Sequence, residues 1–136
     1  MKTGRFILYL STLFTLSSCD PYGGYEYWIQ NESDSTLLVA YSSPDNDSIQ
    51  SEIIRKGEEI RILQFDTNNG LNDVGIEDLF ELCDSVSIRF DLKKPVPVKK
   101  ILMVRENWTY EPIQTSALIH AGDNIYTFTI KNEDLK

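Results

Sequence analysis

Sulfur and imidazole are scarce in this chain. It holds two cysteines, Cys19 and Cys83, and one histidine, His120, among 136 residues. Four His or Cys ligands for zinc cannot be assembled from that stock, and a set of three would need Cys19, Cys83 and His120 together. Nucleophilic catalysis through an imidazole needs a partner held by the same ring, and no Gly-x-Ser-x-Gly elbow is present. His120 therefore reads as a structural residue near a strand end. Positive charge is also thin, with 13 basic residues against 21 acidic ones and a formal net charge of −8. Nucleic acid, whose phosphates demand a basic patch, is excluded as a partner. Long apolar runs are missing too. The longest, Phe6 to Leu16, is interrupted by Ser11, Thr12 and Thr15, and a bilayer span needs roughly 20 apolar residues.

What is there begins with that short run. Lys2 and Arg5 precede it, and Leu16-Ser17-Ser18-Cys19 follows it, which together read as a secretion signal. The four residues resemble the bacterial lipobox, a Leu and two small residues ahead of a cysteine. That resemblance implies cleavage before Cys19 and a diacylglyceryl thioether, usually with an N-acyl chain, on its sulfur. A thiol is needed for that transfer, and several acyl chains anchor stably where one does not. The organisation expected is a lipoprotein signal peptide over 1–18, a lipid-anchored tether over 19–24 and a single domain over 25–136. Loss of the signal removes Lys2 and Arg5 and no acid, leaving 118 residues at a formal −10, a size that suits one domain. Cys83 then has no disulfide partner and is expected to be buried as a small hydrophobe.

Strand signals fill the rest. Tyr25, Tyr27 and Ile29 alternate with Glu26, Trp28 and Gln30, Val86, Ile88 and Phe90 with Ser87, Arg89 and Asp91, and Tyr126, Phe128 and Ile130 with Thr127 and Thr129. Polar turns between neighbouring strands predict hairpins of 25–30 with 36–42, of 49–55 with 60–65, and of 117–120 with 125–131 around Ala121-Gly122-Asp123-Asn124. Trp108 to Pro112 reads as irregular. Ile76, Leu79, Phe80 and Cys83 fall at i, i+3, i+4 and i+7 and predict the one helix, short, with Asp73 as its cap. About eight short strands and one helix predict an all-β, immunoglobulin-like antiparallel β-sandwich; a small open β-barrel is the alternative.

With its lipobox, its strand-rich body and the terminal run Tyr126-Thr127-Phe128-Thr129-Ile130-Lys131-Asn132-Glu133-Asp134-Leu135-Lys136, the chain resembles the small lipoproteins of gut Bacteroidota. That likeness implies an address in the outer membrane, and no functional residue. It also implies O-glycosylation at Asp followed by Ser or Thr and a small or aliphatic residue, which makes Ser35, Ser48 and Ser85 the candidate acceptors. Surface-exported members carry an acidic run after the cysteine; here only Asp20 precedes Pro21, which favours the periplasmic face.

Three surfaces are candidates for chemistry. Asp66, Asn68, Gly70, Asn72 and Glu77 approach the spacing of a calcium loop, but Leu71 stands where glycine is required and Asp73 where an apolar residue belongs. A solvated loop is the better reading, and neither metal nor cofactor is expected. Flat amphipathic rings suit sugar faces and protein partners, so Trp28, Trp108 and Tyr110 are the candidate contacts, with cover of the core edges as the competing role. Lys93, Lys94, Lys99 and Lys100 around Pro95 and Pro97 suit protection of a strand edge. The function expected is a noncatalytic, lipid-anchored binding or interaction module of the cell envelope whose partner is an envelope protein or a glycan. A structural accessory subunit of an outer-membrane assembly is the alternative. A glycan-acting hydrolase built on paired carboxylates is the outsider.

Overall fold

The computed structural model describes residues 22–43, 46–68, 70–73, 75–83, 85–90, 93, 96–116 and 121–135. The signal segment, Cys19 and His120 lie outside them. Among the described residues, eight strands run β1 Gly23–Asn31, β2 Leu37–Ser43, β3 Asn46–Ile54, β4 Glu59–Thr67, β5 Val86–Phe90, β6 Val96–Pro97, β7 Trp108–Ser116 and β8 Ala121–Ile130; a helix α1, Glu77–Leu82, lies between β4 and β5. They form two four-stranded sheets, ordered β4-β1-β8-β7 and β3-β2-β5-β6. The molecule is a β-sandwich, as the strand pattern predicts, and not a closed barrel.

The face assignments follow the alternation in the sequence. Tyr25, Tyr27 and Ile29 are buried, while Glu26, Trp28 and Gln30 face partly outward. On β8, Tyr126, Phe128 and Ile130 are buried and Thr127 and Thr129 are not. On α1, Leu79 is buried, as are its flanking residues Ile76 and Cys83. Leu37, Val39, Ile54 and Ile88 supply the opposing layer.

The pairings differ from the expected hairpins. β1 lies between β4, antiparallel, and β8, parallel, over nine residues from Gly23↔Gly122 to Asn31↔Ile130. β2 instead pairs with β3 and β5 in the other sheet. The Asn31–Ser35 bend therefore crosses the sandwich. Asn31, fully buried, builds that crossing: its Nδ2 donates to the Ser35 and Ile54 carbonyls at 2.8 and 3.1 Å, and its Oδ1 accepts from Ser33 N at 3.0 Å and Ser33 Oγ at 2.6 Å. The Lys56-Gly57 turn crosses back between β3 and β4, with Gly57 at φ 83°, a left-handed conformation that suits glycine.

Two further expectations are corrected. Trp108–Ser116 is strand, not irregular chain; Pro112 is tolerated because β7 is an edge. Ala121 to Asn124 is the start of β8, not a turn. Gly122 is required there, since a Cβ would collide with the Ile113 carbonyl oxygen of the paired strand. Gly23 and Gly24 likewise belong to β1 and not to the tether.

Candidate functional site

Tyrosines of the first sheet hold Asn72, Asp73 and Gly75 against its inner face. Tyr25 Oη donates to the Asn72 carbonyl at 2.9 Å and Tyr27 Oη to the Gly75 carbonyl at 3.1 Å. Tyr126 Oη donates to Asp73 Oδ1 at 2.8 Å and accepts from Gly75 N at 3.3 Å. Asn124, fully buried, closes this lattice. Its Oδ1 accepts from Asn72 N at 3.0 Å and Tyr110 Oη at 2.9 Å, and its Nδ2 donates to the Gly24 and Gly70 carbonyls, each at 3.1 Å. The loop weighed as a calcium ligand set is thus bound to tyrosine and asparagine side chains. Among the described residues no three His, Cys, Asp or Glu side chains gather into a metal-holding group.

Asp73 does not cap α1; the helix has no side-chain cap. Arg105 instead reaches Asp73 Oδ2 at 2.6 Å and lies 5.3 Å over the Tyr126 ring. Partial burial opposes ionisation of Asp73, but the Tyr126 hydroxyl, the Arg105 guanidinium and the Gly75 N–H outweigh it and hold the carboxyl below the usual value. Burial, then the hydrogen bond to Asp73, pushes the Tyr126 hydroxyl far upward. Because Asp73 titrates lower in the folded chain than in the unfolded one, its stabilisation is complete above about pH 4 and is lost as pH falls through the lowered value. Urea unfolding of Asp73→Asn is expected to show a lower midpoint than wild type at pH 7, and the gap is expected to narrow as pH falls below about 4.

The aromatic candidates are divided by the fold. Trp108 is only 3 % exposed, donates Nε1–H to the Leu102 carbonyl at 2.7 Å and packs edge-on to Tyr27. It is a core residue and presents no platform. Tyr110 is half-buried and spent on Asn124. Trp28 alone reaches the outer face of its sheet, where its Nε1–H donates to Glu26 Oε2 at 2.8 Å and Arg61 sits 5.7 Å over the ring. Period-2 alternation separates these roles once β7 is read as strand, because Trp108 shares a face with the buried Phe128 opposite it.

The lysines are divided too. Lys100 is not an edge guard: its Nζ donates to the Thr129 carbonyl at 2.7 Å and lies 5.1 Å over the Phe128 ring. Cys83 is buried, as expected of a small hydrophobe. Ser48 and Ser85 are exposed and Ser35 is half-buried in the crossing bend.

A site that the sequence did not signal lies where the free edges of both sheets fall on one flank. β3 and β4 bound a cleft of about 400 Å³ there, lined by Tyr41, Gln50, Arg61, Gln64, Phe65 and Asp66 among others. Tyr41 Oη donates to Gln50 Oε1 at 3.1 Å. Burial first, then the negative charge of Glu52, raises the Tyr41 hydroxyl above its ordinary value. Two amides, a phenol, an aromatic face and one charge of each sign can hold a small polar ligand; no nucleophile with an adjacent base stands among these six. Edge pairing made the cleft illegible, since its walls come from strands that sequence proximity had joined to each other. No protein family, curated protein or solved structure matches the chain.

Proposed function

We propose that this protein is a noncatalytic binding or interaction module of the bacterial cell envelope, held by lipid on Cys19 to the periplasmic face of the outer membrane. The observation that carries the reading is adjacency. The lipobox-like Leu16-Ser17-Ser18-Cys19 is followed almost at once by β1, which starts at Gly23. A tether of so few residues keeps the Gly23 end of the sandwich next to the bilayer. Tyr22, Asp66 and Asp123 cluster at that end, since the Asp66 hydrogen bond and the Asp123 charge both act on the Tyr22 hydroxyl. Acidic groups there repel anionic headgroups and hold the body off the surface. The β3/β4 cleft is the ligand site in this reading, with a small polar molecule such as a sugar as the class its amides and aromatic ring suit.

Intact mass of the protein from envelope membranes tests the anchor. The expected species begins at Cys19 and carries acyl chains, and Cys19→Ser is expected to leave the detergent phase for the aqueous one. A purified native protein that retains residues 1–18 and carries no fatty acid overturns the proposal.

The accessory-subunit reading has an observation of its own. Ile101 and Met103 are 59 % and 72 % exposed on the segment whose Lys99 N donates to the Asp134 carbonyl beyond the far end of β8. Tyr22, by contrast, accepts from Gly122 near the start of β8, so about 30 Å of strand separates the two ends. An apolar tip opposite the anchor suits a protein partner.

A further inference from the structure

Four strand edges border the two sheets, and three of them are defended. β6 is two residues long and one is Pro97. β7 carries Pro112 and a register shift between Gln114 and Ser116. β4 exposes Glu59, Arg61 and Asp66, and its pairing is bulged opposite Tyr27 and Trp28. Short length, proline, bulges and charge are the devices that stop an edge from recruiting another strand. Between Ile49 and Ile54, β3 has neither proline nor bulge, and its one charge, Glu52, lies on the inner face opposite Val39. The strand has no lysine, pairs regularly with β2 from Ile49 to Ile54, and leaves Ile49 and Ile53 exposed by 66 % and 50 %.

Its sequence is also complementary to itself. Turned about a two-fold axis through Ser51, antiparallel β3 strands set Ile49 opposite Ile53 of the second copy, Gln50 opposite Glu52, and Ser51 opposite Ser51. Directly opposed residues of an antiparallel pair share a face. The isoleucines therefore meet on the outer face, where Ile53 already neighbours Leu38. Gln50 and Glu52 meet on the inner face, where Gln50 lines the cleft. Gln50 accepts from Tyr41 through Oε1, and an amide N–H is the donor that an opposing carboxylate takes. No like charges face each other across this register, although the mature chain is strongly acidic.

We infer that this protein self-associates through β3, joining two copies into a continuous eight-stranded sheet in which Gln50 and Glu52 of the second copy extend the inner wall of the β3/β4 cleft. The interface is isologous and closes on itself. A single strand pair is small beside stable interfaces, so the association is weak in dilute solution and strengthened wherever the chains are concentrated together.

Ser51→Cys in the full chain, purified in detergent and oxidised under mild conditions, tests the register. Paired Cα atoms of an antiparallel ladder lie about 4.5–5.5 Å apart, within disulfide reach. The expected product is a covalent dimer whose linked peptides, read by mass spectrometry, join position 51 to position 51 and involve neither Cys19 nor Cys83. Thr109→Cys on β7 is the control and is expected to cross-link much more slowly. Sedimentation of wild type is expected to show a concentration-dependent dimer, weakened at least about tenfold by Ile53→Lys with the circular dichroism spectrum unchanged. A chain that stays monomeric overturns the inference, and leaves β3 for a strand of another protein. So does a dimer that survives Ile53→Lys while position 51 fails to cross-link to itself.

Discussion

Replacing Asn124 with leucine is expected to lower the unfolding free energy by at least about 4 kcal/mol. Leucine fills nearly the same volume, so the effect isolates hydrogen bonding from cavity formation. Asn124 is fully buried, and its four bonds serve Asn72 N, Tyr110 Oη and the carbonyls of Gly24 and Gly70. The substitution leaves these groups without that partner, and each buried orphan costs about 1–3 kcal/mol. Against a whole-domain stability of about 5–15 kcal/mol, that loss is severe. Asn124→Asp keeps the acceptor and removes both donors while burying a charge, so it offers no rescue. Urea denaturation followed by far-UV circular dichroism measures both, and an Asn124→Leu midpoint within error of wild type would contradict the lattice described for this end of the sandwich.

The second large effect is expected at Tyr27. Its ring is fully buried and stacks on Tyr126 at 4.9 Å, on Phe65 at 6.2 Å and edge-to-face on Trp108 at 5.9 Å. Tyr27→Ala is expected to cost about 4 kcal/mol, because the surrounding rings of Tyr126, Phe65 and Trp108 cannot collapse fully into the space. Tyr27→Phe keeps the stack and loses the bond to the Gly75 carbonyl; about 1 kcal/mol is expected. The gap between the two variants measures what the ring contributes apart from its hydroxyl. Near-UV circular dichroism is expected to weaken strongly in the alanine variant and little in the phenylalanine one. Equal costs for the two would mean that the hydroxyl, and not the stack, fixes the first sheet onto Asn72, Asp73 and Gly75.

Local information in the sequence reached as far as the faces of the elements. Alternation placed Tyr25, Tyr27 and Ile29 inside and Trp28 outside, and helical spacing around α1 brought Ile76, Leu79 and Cys83 to the core. Pairing was beyond that reach. A polar bend between two strands looks the same whether it folds one sheet back on itself or crosses to another. Asn31 decides between them through a bond to Ile54, 23 residues away. Polar residues also misled in the other direction. Gly122 and Asn124 have turn chemistry, yet one is small to admit a neighbouring backbone and the other is polar to satisfy buried groups. Pro112 reads as a breaker only until β7 is known to be an edge. The candidate site inherited the same limits. Trp108 was legible as an aromatic with two candidate roles, a contact surface or cover of a core edge, and its burial decides for the second; the cleft depends on two edges whose meeting no local pattern records.

The parallel alignment of β1 with β8 has a mechanical consequence. β1 enters at one end of the sandwich and β8 leaves at the other, so a pull on the N-terminus and an opposite pull beyond Ile130 load their nine-residue ladder lengthwise. Its hydrogen bonds then share the force in shear and must fail together, instead of opening one after another from an end. The other neighbours of these two strands, β4 and β7, run antiparallel to them and flank the loaded pair. A body pulled at those two ends would yield last along its middle.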